Sequence, residues 1–157
     1  MISTWETDLI KDQFPQMLTK KVFPCPDQGE LFLGNGWYFS VGSIDYSPDQ
    51  FEQIEFPKDD FQVWINKDAM GGNPELRIRK EGELISPLGM DGKSMKVSDL
   101  MINEKIPALY RELWPIVVQA DTTLWIPGGR VSHQARVTAE TQEIIKLAFY
   151  KEKSEGA

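Results

Sequence analysis

Leu31-Phe32-Leu33-Gly34-Asn35-Gly36-Trp37-Tyr38-Phe39-Ser40-Val41 is the stretch whose pattern decides the fold. Leu31 and Leu33 alternate before the glycines, and Trp37, Phe39 and Val41 alternate after them. Asn-Gly between two alternating runs predicts a β-hairpin, because both turn positions need a backbone that tolerates positive φ. Working outward, Phe61, Val63 and Ile65 form another period-two set, residues 51–56 a weaker one, and Ile145, Leu147 and Phe149 a last one. Residues 116–118 and 123–126 read as strands across a turn, and 131–137 reads as extended. Thr138 is placed to cap one helical turn before the final strand. Helical spacing is confined to 94–114, where Val97, Leu100 and Met101 stand at i, i+3, i+4 and Pro107 opens a second short helix. Strands in runs, not alternating with long helices, predict an α+β fold of mostly antiparallel strands with a few short helices.

The chain has 157 residues, 41% hydrophobic and 26% charged, enough for one core. Residues 29–150 read as the folded domain. Residues 1–28 read as an N-terminal segment, with Thr4 capping a short helix that carries Trp5, Leu9 and Ile10 and that Pro15 limits, or as the end of a preceding helical region. Residues 151–157 read as a tail. The apolar runs are too short to span a bilayer, and MISTWETDLIKDQ has neither a basic nor an apolar signal region. One cysteine excludes an internal disulfide, one cysteine with one histidine excludes a Cys/His zinc site, and the absence of a signal fits a cytoplasmic protein. Cys25 in PCPDQG reads as an incidental thiol and His133 as a surface or capping residue, with nothing local to pair them. No Walker loop or GxGxxG is present, and neither Gly71-Gly72 nor Gly128-Gly129 follows a strand and opens a helix.

The formal net charge is -7, yet the window from Arg77 to Arg111 holds seven basic and five acidic residues, +2, leaving -9 for the rest. A weakly basic patch on an acidic body suits a partner gripped at one face and repelled elsewhere. In Glu75-Leu76-Arg77-Ile78-Arg79-Lys80 the alternation sends Leu76 and Ile78 to the core and Arg77 and Arg79 outward, side by side. Guanidinium groups fork onto phosphate; a plain solvated sheet face is the alternative. Lys93 and Lys96 enter the first helix, whose N-terminus would add free N–H donors. Gly89 and Gly92 either let a backbone approach closely or simply make the turn, and Glu83 is placed to pair with Arg79. Trp114 and Trp125 read as core anchors.

The run from Leu76 through Gly82-Glu83, Pro87-Leu88-Gly89-Met90-Asp91-Gly92, Lys105-Ile106-Pro107, Arg111-Glu112-Leu113-Trp114-Pro115, Trp125-Ile126-Pro127-Gly128 and Val137-Thr138 resembles the C-terminal domain of bacterial tRNA(Ile)-lysidine synthases. The resemblance is dense from about residue 75 to 147 and fainter back to about 29. It departs at Lys80-Glu81-Gly82-Glu83, where the family has Arg-Pro-Gly-Asp, and at Met95-Lys96, where it has a doubled lysine. The resemblance implies a layered, β-sandwich-like domain of the type shared with the phenylalanyl-tRNA synthetase β subunit. It implies contact with the acceptor stem of isoleucine tRNA, for which Arg77, Arg79, Lys93, Lys96, Lys105, Arg111 and Arg130 are the candidate residues.

In that family ATP, with Mg, is held by an N-terminal PP-loop domain with an S-G-G-x-D-S signature, which joins lysine to the wobble cytidine. No such signature occurs in this sequence, so no catalytic, metal or cofactor residue is expected in it, and the parent enzyme is expected to be a ligase. The expected partners are tRNA and the catalytic domain of the same protein, with no membrane. The alternative is a protein-interaction domain, a homodimer included, without direct RNA contact.

Overall fold

Asn35 at φ 52° and Gly36 at φ 81° make the tight connection that the Asn-Gly pair requires. The computed structural model describes residues 13–152. Its strands are β1 (Phe23–Pro24), β2 (Gly29–Gly34), β3 (Trp37–Ile44), β4 (Gln62–Asn66), β5 (Pro74–Arg77), β6 (Leu84–Ile85), β7 (Met95–Lys96), β8 (Ile116–Gln119), β9 (Thr122–Trp125) and β10 (Ile144–Lys151). Two short helices, α1 (Val97–Asn103) and α2 (Ala108–Arg111), and three 3-10 turns complete the described residues.

The strands form two four-stranded sheets, ordered β2-β3-β10-β4 and β1-β5-β8-β9, and a two-stranded ladder β6-β7. Every pairing is antiparallel. Phe39, Val41, Ile65, Leu147 and Phe149 of the first sheet pack on Leu76, Val117 and Trp125 of the second. The opposite face of the second sheet buries Ile116 and Val118 against Val97, Leu100, Met101, Tyr110 and Trp114 of the helical side. The architecture is therefore α+β in three layers, with the β1-β5-β8-β9 sheet in the middle. Ile116-Val117-Val118, all 1% exposed or less, is the unbroken apolar run of a strand covered on both faces.

Several expectations are corrected. Residues 51–56 are not a strand: Pro48–Gln53 is a 3-10 turn, entered where the Ser47 amide donates to Gln50 Oε1 at 2.9 Å. Ser-x-x-Gln with Pro at the first position is a helix-start pattern that outweighs the alternation after it. Within residues 131–137 strand pairing is limited to Val131 and Ser132, which form single bridges to Trp125 and Pro87. There the Ser132 hydroxyl accepts the Ala135 amide and turns the chain into His133–Ala135. At Thr138 the capping bond forms, Glu140 N to Oγ1 at 3.2 Å, but the Thr141 hydroxyl takes the Thr138 amide and closes a turn in place of a helix. The helix predicted near Thr4 lies outside the described residues.

Residues 14–24 lie on the domain. Met17 is 1% exposed within the inter-sheet cluster, and its amide donates to the Leu113 carbonyl at 2.7 Å. Phe14 meets Tyr110 edge-on at 4.8 Å, and β1 sets Phe23 opposite Leu76.

Candidate nucleic-acid interface

β5 pairs with β8 in a register that places Leu76 beside Val117 and Arg77 beside Ile116. Leu76 thus faces the inter-sheet core, as its alternation predicts. The other face of β5 is not water but the helical layer, so the outward placement of Arg77 is corrected: the residue is 5% exposed. The expected partner of Glu83 is corrected with it. Arg77, not Arg79, takes the Glu83 carboxylate, through Nη1 to Oε1 at 2.9 Å and Nη2 to Oε2 at 2.5 Å. Arg77 Nη1 also donates to the Ile78 carbonyl, and Glu83 Oε1 accepts the Lys80 amide at 2.8 Å. A buried charge of each sign is tolerated because each has the other and further hydrogen bonds.

Burial pushes the Glu83 carboxyl up, but the hydrogen bonds from Arg77 and the Lys80 amide, with the charges of Arg77 and Lys80, outweigh it. The carboxyl sits below its ordinary value of 4.5. A depressed carboxyl contributes stability above its unfolded value and loses it as the pH falls through the folded one. The stability gap between the protein and its Glu83→Gln variant should be full above about pH 4.5 and close as the pH drops further. Urea unfolding at stepped pH measures it; a gap that stays constant down to pH 3 would count against the ion pair.

Arg79 lies beyond the end of β5 and lines a groove of about 650 Å³ with Lys20, Ile78, Glu81, Gly82, Lys96, Ser98 and Glu112. Among the described residues its guanidinium approaches the exposed Glu112 carboxylate, at 3.9 Å, and its buried Nε has no hydrogen-bond partner. Gly82 makes the turn at the groove wall with φ 77°. Three cations and two carboxylates thus share one concavity, with guanidinium and ammonium donors suited to phosphate oxygens. Lys20 was not anticipated: it is remote in sequence, and only the Lys20-Lys21 doublet marks it.

The other candidates do not line this groove. Lys93 and Lys105 are exposed on turns, after Gly92 and at φ 61° respectively. Arg111 donates through Nε to the Ile106 carbonyl at 2.7 Å and holds the link between α1 and α2. Arg130, half exposed, binds Glu104 at 2.8 Å and the Leu88 carbonyl at 3.2 Å. Where Lys96 enters α1, the first of the expected free amides is not free: the Val97 amide is taken by the Glu83 carbonyl at 2.8 Å. Gly89 and Gly92, at φ 94° and 80°, make turns.

The residues present do not fit a nucleoside triphosphate at the glycine pairs. Phosphate would be held by backbone N–H groups, and the amides of Gly71, Gly128 and Gly129 already donate to the Asp68, Asp60 and Ile126 carbonyls. Burial, with the Glu75 charge, pushes the Cys25 thiol up to about 12, which leaves it unreactive at neutral pH. Among the described residues no group of three or more His, Cys, Asp or Glu is placed to hold a metal ion. No described helix is long and apolar enough to cross a membrane.

The TilS substrate C-terminal domain matches residues 75–147. The tRNA(Ile)-lysidine synthase of Clostridium perfringens is 38% identical over 95 residues, 60% of this chain and 20% of that protein. That of Dehalococcoides mccartyi is 30% identical over 134 residues, 80% of this chain and 27% of that protein. The chain thus spans about a quarter or less of these curated relatives. A crystal structure of a TilS C-terminal domain shares the fold, with a TM-score of 0.69 and 24% identity over 85% of this chain and 98% of that one. Through residues 75–147 the chain belongs to the TilS substrate C-terminal domain family.

Proposed function

We propose that this chain is the tRNA-gripping part of a tRNA(Ile)-lysidine synthase and that its groove takes the acceptor-stem backbone. In this reading the ATP- and Mg-dependent joining of lysine to the wobble cytidine is carried by a catalytic domain outside the described residues, and this chain alone makes no lysidine. One observation carries the proposal: Lys20, Arg79 and Lys96 converge on one groove, with the Arg79 guanidinium held there without a full set of partners. Duplex RNA offers phosphates and 2′-hydroxyls more readily than base edges, so a small cationic concavity suits it better than a reading helix would. The acidic remainder of the chain keeps the grip local.

Three phosphate contacts give a slope of log K against log salt of about -2 to -3, and an affinity of about 10–100 μM near physiological salt. Titrating an isoleucine tRNA transcript at several salt concentrations measures both. Arg79→Ala and Lys96→Ala should each reduce the slope by about 0.7–0.9. An unchanged slope in the double variant would remove the groove from the RNA surface. The protein-contact reading would then lead, supported by Phe32 of the edge strand β2 and its neighbour Leu18, both exposed.

A further inference from the structure

We infer that Arg77 and Glu83 are positioning residues that build the groove without touching its ligand. The inference rests on the reading of that groove as the RNA site. The groove wall is made by Ile78, Arg79, Glu81 and Gly82, all inside the loop that the Arg77 and Glu83 side chains close. The groove is also lined by Lys96 and Ser98, the two neighbours of Val97, whose amide is bonded to the Glu83 carbonyl. Glu83 also precedes the β6-β7 ladder, in which Leu84 pairs with Lys96.

One residue therefore ties both basic segments of the lining: its side chain holds the Arg79 loop through Arg77 and the Lys80 amide, and its backbone holds the Lys96 strand end. Besides these bonds the loop is held by Ile78, which packs on the inter-sheet core, and by the approach of Arg79 to the exposed Glu112 carboxylate at 3.9 Å. Its only additional backbone closure is the Glu83 amide to the Lys80 carbonyl at 3.1 Å, and Gly82 has open space around its Cα. Without the carboxylate, the Arg79 loop must be ordered again at each binding event, and that entropy comes out of the affinity.

The sign of the effect separates positioning from bulk electrostatics. Removing a negative charge near a polyanion site should by itself strengthen RNA binding or leave it unchanged. A positioning role predicts the reverse. The test uses the full 157-residue chain, an isoleucine tRNA transcript as probe and neutral pH, with circular dichroism to establish that each variant is folded.

Glu83→Gln is expected to bind the transcript about tenfold more weakly, because ordering even one or two loop residues opposes binding on that scale. Glu83→Asp, which keeps the charge on a shorter arm, is expected to fall between the two. Should Glu83→Gln not fold, Glu83→Asp carries the test, with a loss of about threefold as the expected outcome. Binding by the folded Glu83 variant as tight as the parent's, while Arg79→Ala still weakens it, overturns the positioning role and leaves the groove reading intact. No weakening with Arg79→Ala and Lys96→Ala together overturns the groove reading and the inference with it.

Discussion

Arg77→Ala is expected to lower the free energy of unfolding by about 3–5 kcal/mol, the range for removing one partner of a buried ion pair. The side chains of Arg77 and Glu83 are only 7% and 10% exposed, so the carboxylate left behind has little water to turn to. It would keep the Lys80 amide and lose both guanidinium hydrogen bonds. The cavity left by the long arginine side chain, against the helical layer, adds to the loss. Replacing both charges by apolar residues, Arg77→Met with Glu83→Leu, should lose much less, since no uncompensated charge remains. Urea unfolding followed by circular dichroism reads both variants. A loss below about 1 kcal/mol for Arg77→Ala, the range of an exposed pair, would contradict the buried placement. The same placement disqualifies Arg77 as a surface probe: a double Arg77→Ala, Arg79→Ala variant would report unfolding together with RNA contact.

What the sequence allows one to read depends on how local the physics is. The hairpin at Asn35-Gly36 follows from two adjacent residues with positive φ, and the stripe of Val97, Leu100 and Met101 from one turn of helix. Both are legible because no distant partner decides them. Arg77 shows the opposite case. Alternation correctly separates it from Leu76, but which faces of β5 meet water depends on what packs on the sheet. The clue was present in Ile116-Val117-Val118, an unbroken apolar run that marks its strand as covered on both sides and so covers both faces of its neighbour. The candidate site divides in the same way. Arg79 and Lys96 were legible as basic residues of one window, whereas Lys20 reaches their groove only through the path of residues 14–24 across the domain.

Trp114→Ala should be the other large destabilisation, about 3–5 kcal/mol, the usual range for emptying a buried aromatic site. Trp114 is 1% exposed and stands where three parts of the chain meet. Its ring lies 5.8 Å from Phe14 of the N-terminal segment and 6.1 Å from Phe61 beside β4. Its Nε1 donates to the Pro127 carbonyl at 2.8 Å, pinning the Pro127-Gly128 turn. That turn has no room to close over a vacancy by itself, because Gly128 is held at φ 74° with its own amide bonded to the Asp60 carbonyl. Trp114→Phe retains most of the apolar contact and loses the hydrogen bond, so it should lose less, about 1–3 kcal/mol for the unpaired buried carbonyl plus the smaller ring. The order parent, Phe, Ala in unfolding free energy is the readout. Equal losses for Phe and Ala would mean that the hydrogen bond, not the packing, holds this junction. Hydrogen exchange adds a local check: the Met17 amide, bonded to the Leu113 carbonyl next to the tryptophan, should lose protection in Trp114→Ala beyond the global loss. Such a local opening would free the segment that brings Lys20 to the groove, so the same substitution should weaken tRNA binding without touching a basic residue.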